Sequence, residues 1–133
     1  MSVHTRLTAG CLCGAVRLVL DRPPVRVGLC HCATCRKETG GPFKHFAVFA
    51  RDAVRISGET RAWAAPGGQP RHFCPTCGAR LFADSPDPAE IEVNAGCVDQ
   101  MDALPPAYEG FAGQRAAWLP DLGLVRYAGN RET

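Results

Sequence analysis

No stretch of this 133-residue chain approaches the ~20 apolar residues that span a membrane as a helix. The longest apolar run, Phe46-Ala47-Val48-Phe49-Ala50, reads as a buried strand. The opening Met1-Ser2-Val3-His4-Thr5 has none of the apolar character of a secretory signal, so a cytoplasmic location is expected. No block of Lys and Arg is interleaved with aromatics, which argues against a nucleic-acid-binding ribbon. Repeats of solenoid length and low-complexity tracts are also absent. Extended helices have little room, because 11 prolines and 14 glycines punctuate the chain.

What the chain does have is cysteine. Seven of its eight cysteines fall into three tight groups: Cys11-Leu12-Cys13-Gly14, Cys30-His31-Cys32-Ala33-Thr34-Cys35 and Cys74-Pro75-Thr76-Cys77-Gly78. Thiolates at these spacings converge on a point when the backbone turns sharply, and zinc is the usual occupant of such a point. The competing reading, four disulfides, is disfavoured by the expected reducing compartment and by the strain of a bridge within Cys-x-Cys.

Seven sulfurs do not divide into fours. Two of the groups end in Cys-Gly, where a metal-binding turn often needs a positive φ that glycine adopts at little steric cost. Cys11, Cys13, Cys74 and Cys77 therefore read as two halves of one saturated structural site. Cys30, Cys32 and Cys35 contain His31 and lead into Arg36-Lys37, a cationic setting that favours thiolates. Three protein ligands with an open fourth position are what a catalytic zinc requires. The spacing also permits a second saturated site, closed by His31, Cys97 or another side chain, in a zinc-stabilised binding module without catalysis.

The pattern of the chain predicts one all-β domain over residues 1–133, built of short antiparallel strands and stapled by zinc. Strands are expected at Ala15–Leu20, Val25–Leu29, Phe43–Ala50, Val54–Ile56, Arg61–Ala64, Arg80–Phe82 and Ile91–Val93, with edge strands at Ala116–Trp118 and Leu124–Tyr127. About one helical turn is expected near Thr34 to Thr39. The formal charge of +2 becomes −1 once seven thiolate charges are subtracted and four from two zinc ions are added, so no nucleic-acid or membrane partner is implied.

With those residues in hand, the chain resembles the glutathione-dependent formaldehyde-activating enzyme family. The resemblance rests on Gly10-Cys11-Leu12-Cys13-Gly14-Ala15-Val16, on Cys30-His31-Cys32-Ala33-Thr34-Cys35-Arg36-Lys37-Glu38-Thr39-Gly40 and on Phe73-Cys74-Pro75-Thr76-Cys77-Gly78. It implies a β-tent-like fold with two zinc ions per chain. Cys11, Cys13, Cys74 and Cys77 match the structural ligands, and Cys30, Cys32 and Cys35 the catalytic ones. The implied activity is of carbon–sulfur lyase type, condensing glutathione with formaldehyde to S-(hydroxymethyl)glutathione. Cys97 departs from the family, which often carries a small hydroxyl residue there.

A free thiol with pKa ~8.5 is only a few per cent ionised at neutral pH, so such an enzyme must promote the thiolate. Arg36, Lys37 and His31 are the nearest cations in sequence to offset the charge of three thiolates. The two carboxylates of glutathione call for further cations, and Lys44, Arg71 and Arg80 are candidates that spacing does not separate. His45 and His72 are available as acid–base groups, and Glu38 and Asp99 as orienting ones.

Overall fold

The computed structural model describes residues 6–131. Two sheets carry the chain. A three-stranded antiparallel sheet pairs β1 (Leu7–Gly10) with β2 (Arg17–Leu20) and β2 with β5 (Val54–Ser57). The larger, eight-stranded sheet takes β3 (Arg26–Cys30), β4 (Lys44–Ala50), β6 (Arg61–Trp63), β7 (Arg71–Phe73), β8 (Arg80–Asp84), β9 (Glu90–Asn94), β10 (Tyr108–Gly110) and β11 (Val125–Arg126). Its order is β11-β10-β3-β4-β9-β8-β7-β6. One helix, α1 (Ala33–Thr39), follows β3 directly.

The all-β reading and most of the expected strands hold. The antiparallel expectation has an exception, because β10 runs parallel to both β3 and β11. Two 3-10 turns, Ala95–Cys97 and Met101–Ala103, carry the chain across so that β10 enters in the direction of β3. The expected strand at Ala116–Trp118 does not form. Arg115 donates to the carbonyls of Leu119 (3.3 Å) and Pro120 (2.7 Å), which curls that segment into a turn.

Strand periodicity divides the large sheet into two unlike faces. Val27 aligns with Ala47 and Ala47 with Val93, and the centre of this face is apolar. It packs with Leu18, Leu20, Phe49, Leu81, Ile91 and Leu104 into the main core, closed from the other side by the three-stranded sheet. On the opposite face Cys30 pairs with Lys44, Gly28 with Phe46, Phe46 with Asn94 and Val48 with Glu92. That face holds polar and sulfur chemistry, and α1 packs against β4 there.

Gly28 is part of this second face for a steric reason. A Cβ built there would lie 2.6 Å from the Tyr108 ring on the neighbouring strand. Tyr108 lies flat over the glycine and meets Phe46 edge to face at 6.0 Å. Gly28→Ala is expected to cost about 1–3 kcal/mol, as overpacking does, read as a lower denaturant midpoint at unchanged slope.

Candidate metal centres

The first cluster joins the two sheets. Cys11 and Cys13 sit in the turn after β1, and Cys74 and Cys77 in the turn between β7 and β8. The glycines that follow take positive φ as expected, +85° at Gly14 and +79° at Gly78. The four Sγ atoms lie within 4.8 Å of one another, with Cys11–Cys13 at 3.7 Å and Cys13–Cys74 at 3.8 Å. Four thiolates bound to zinc at ~2.3 Å in a tetrahedron stand about 3.8 Å apart, so this donor set fits. Backbone N–H groups of Val16, Thr76 and Cys77 point at the sulfurs of Cys11 and Cys74. Such bonds orient ligands and spread their charge. Hydrogen bonds from the backbone of Ala79 and Cys13 lead a set that holds the Cys77 thiol at about 6.

The second cluster is built where β3 hands over to α1. Cys30 ends the strand, Cys32 is the N-cap of the helix and Cys35 lies in its first turn. The Cys32 sulfur accepts the Cys35 N–H at 3.4 Å, so the residue that caps the helix also belongs to the sulfur cluster. Gly40, at φ +78°, closes the helix by donating to the Arg36 carbonyl. The three Sγ atoms again lie within 4.8 Å, and Cys30 and Cys32 are 3.4 Å apart. All eight cysteines are free thiols, not bridges.

No fourth Cys, His, Asp or Glu joins the trio among the described residues. His31 is fully buried and places Nε2 2.8 Å from Glu109, on the other face of the sheet. Cys97 donates to the carbonyl of Leu81 at 3.6 Å, and burial pushes its thiol up to about 12. It is half-buried and packs against the edge of the main core.

The cations that serve the trio come from distant strands. Arg71 on β7 places Nη1 3.6 Å from Cys35 Sγ and 2.6 Å from Glu38 Oε1. Lys44 is almost wholly buried, and its Nζ bridges Glu38 (3.1 Å) and Glu92 (2.9 Å). Burial alone would lower the lysine, but Glu92 and Glu38 outweigh it and the ammonium stays charged. Asn94 completes the network by donating to Glu38 Oε2 at 3.2 Å. A hydrogen bond with Cys30, then those from Arg71 and the charge of Lys44, bring Cys35 down to about 6 despite its burial. Cys30 is pushed the other way by the same sulfur–sulfur hydrogen bond and by burial.

Arg36 and Lys37, the neighbours in sequence, are exposed on α1 and make no hydrogen bond to a cysteine sulfur among the described residues. Consecutive helical residues point about 100° apart, so the helix that aims Cys35 inward turns the next two outward. Lys37 instead lines a cavity of about 330 Å³ with Glu38, Trp63, Arg71 and Arg80. Lys37 and Arg80 make no ion pair among the described residues, and Arg80 lies 4.9 Å over the Phe73 ring. A second cavity, about 280 Å³, opens on the other side of the Lys44 bridge and includes Cys30 in its lining.

The remaining residues singled out by sequence are engaged within the fold. His45 hydrogen-bonds the Leu104 carbonyl at 2.8 Å, His72 stacks on Phe82 at 4.3 Å, and Asp99 holds Thr8 and Arg17.

Comparison with known proteins decides the lineage. The profile of the family described as glutathione-dependent formaldehyde-activating enzyme matches residues 6–114. The chain belongs to that family. It is also similar to an uncharacterised lyase of Schizosaccharomyces pombe, 31% identical over 74 residues. That match covers 54% of this chain, and the chain spans about half (53%) of the yeast protein's length. In fold it is similar to the crystal structure of a Rhodobacter sphaeroides protein, with a TM-score of 0.57 at 22% identity, over 70% of this chain and 88% of the other. Membership in the formaldehyde-activating family agrees with the cysteine arrangement: both clusters fall inside the matched residues. No helix among the described residues is long and apolar enough to cross a membrane.

Proposed function

We propose that the chain is a zinc-dependent carbon–sulfur lyase-type enzyme that joins glutathione to formaldehyde or another small aldehyde. It would hold two zinc ions, one at Cys11, Cys13, Cys74 and Cys77, the other at Cys30, Cys32 and Cys35. One observation carries this reading: the first cluster supplies four sulfurs and the second only three, with neither His31 nor Cys97 joining the second group. Zinc held by the trio would supply Lewis acidity that favours the thiolate form of an incoming thiol.

The protein's own groups do the rest. Arg71 and Lys44 offset the negative charge of the three thiolates, as Arg71 touches Cys35 and Lys44 anchors the carboxylates around it. Lys37, Arg71 and Arg80 offer positive charge around one cavity, where the carboxylates of glutathione bind. Trp63, largely exposed on edge strand β6, covers the peptide part. Arg36 contributes only to the positive field of the helix surface.

Exchange spectroscopy on formaldehyde and its glutathione adduct tests the reading, compared with a protein-free control because the condensation is spontaneous. The zinc-loaded protein is expected to accelerate exchange. Arg80→Ala is expected to raise KM for glutathione about 10-fold with kcat little changed, the loss of one charge-assisted hydrogen bond. A thiol without carboxylates, 2-mercaptoethanol, should not distinguish the variant from the parent. No acceleration with two zinc ions bound would leave a zinc-stabilised binding module instead.

A further inference from the structure

We infer that the electrophile is larger than formaldehyde: an aldehyde carrying an aryl or branched alkyl group, seated in the cleft beside Cys30. The inference rests on the function proposed above and names the class of its second substrate.

The cleft has about 280 Å³ of space. Formaldehyde has a single carbon, whereas an apolar cavity of about 150 Å³ is enough to hold benzene. The cleft is half open to water and is lined in part by Arg26, Ser85, Glu92 and Arg131, but beside Cys30 its floor is the apolar group of Phe46, Val48 and Tyr108, which a one-carbon aldehyde leaves largely uncovered and a ring covers.

The walls have the right chemistry for a ring. Cys30, Phe46, Val48 and Tyr108 share one face of the sheet by register. Phe46 and Tyr108 meet at 77° and Tyr108 and Tyr127 at 71°, an edge-to-face set next to the sulfur. This arrangement depends on Gly28, since any side chain there would collide with the Tyr108 ring. Phe111, at the end of the cleft, is the one non-glycine residue with positive φ among those described (φ +51°). Its N–H donates to the Gly129 carbonyl at 2.8 Å, which holds it in place. A bulky residue kept in the left-handed region is strained, and such strain gathers at ligand sites.

Charge separates this cleft from the cationic cavity. Its inner charges are already paired, Glu92 with Lys44 at 2.9 Å and Arg26 with Glu90 through two hydrogen bonds, 3.2 and 2.9 Å. Arg131 stands exposed at the rim. The anionic thiol therefore approaches from the cavity of Lys37, Arg71 and Arg80, and the neutral aldehyde from the cleft. In the step itself a carbon–sulfur bond forms, the carbonyl π pair passes to oxygen, and the proton lost by the thiol ends on that oxygen. The product is a hemithioacetal, with no oxidant or reductant needed.

The zinc-loaded protein would be tested with glutathione and, in turn, formaldehyde, isobutyraldehyde and benzaldehyde, each against a protein-free control by exchange spectroscopy. Benzaldehyde is expected to be accelerated about 10-fold or more over formaldehyde, the scale on which an apolar pocket discriminates. Benzyl alcohol, which cannot react, is expected to bind by saturation-transfer NMR. Ser85→Phe, at the half-buried mouth of the cleft, and Phe111→Gly, at its end, should each cut the benzaldehyde-to-formaldehyde ratio about 10-fold and weaken the benzyl alcohol signal. Acceleration of formaldehyde alone would overturn the inference and leave the proposed function standing. A ratio unmoved in both folded variants would also overturn it. Acceleration of no aldehyde would remove both readings.

Discussion

Cys74→Ser is expected to abolish cooperative folding, whereas Cys32→Ser leaves a folded protein with one metal ion and no catalysis. The difference lies in what each cluster connects. Cys13 and Cys74 are 61 residues apart and bring the edge of the three-stranded sheet against the β7–β8 turn of the larger one. Zinc at such a site contributes about 10–16 kcal/mol at neutral pH, as much as the whole stability of an ordinary domain, about 5–15 kcal/mol. Cys30, Cys32 and Cys35 lie within six residues of one another along the chain and close no long loop. Losing a ligand there removes a metal ion and a helix cap, the cap being worth about 1 kcal/mol. Circular dichroism melts with metal analysis by mass spectrometry read both outcomes. A Cys74→Ser protein that still melts cooperatively at the parent temperature would count against the first cluster as the architectural one.

Glu109→Ala is expected to lower the melting temperature by roughly 10–20 °C, the equivalent of about 3–5 kcal/mol for a broken buried charge pair in a domain of this size. Glu109 is fully buried and takes hydrogen bonds from His31 (2.8 Å), Arg115 (2.7 Å) and Arg126 (3.3 Å). His31 stands between Cys30 and Cys32, so the carboxylate ties the metal loop to the C-terminal turn. Its removal leaves Arg115, only 11% exposed, without its carboxylate partner. The same group sets an acid dependence. Burial opposes ionisation, but Arg115 and His31 prevail and hold the Glu109 carboxyl below the usual range. A depressed folded value means its contribution is complete above the unfolded pKa and lost as pH falls through the folded one. Glu109→Gln should therefore melt lower at neutral pH and lose less on acidification. Equal acid slopes for variant and parent would show that the carboxylate is not the group responsible.

The two cysteine clusters were legible because their signal is local. A cysteine pair followed by glycine announces a sharp turn, and Gly14 and Gly78 take the positive φ that this reading demands. The strands from β2 to β5 were legible for a similar reason, as alternation and β-branching are properties of neighbouring residues. The short strands β1, β7 and β10 were not. Leu7–Gly10, Arg71–Phe73 and Tyr108–Gly110 are short and hold a single β-branched residue, Thr8, among them. The parallel seat of β10 beside β3 has no local signature at all, since it depends on where a crossover returns.

Electrostatics divided in the same way. Nearness in sequence pointed to Arg36, Lys37 and His31 as partners of the sulfur trio, but a helix turns adjacent residues to different sides and a strand alternates them. Arg71 reaches Cys35 across 36 positions of chain because its register with Ala83 and Glu92 puts it on the face of the sheet that carries Lys44, where Lys44 meets Glu38 and Glu92. Which sulfurs gather into clusters that could hold metal was written in short-range spacing, where chemistry and turn geometry act on a few consecutive residues. Which charges surround the sulfur trio, and which walls line the cavities beside it, depended on strand order and register, because those bring together side chains that the chain itself keeps far apart.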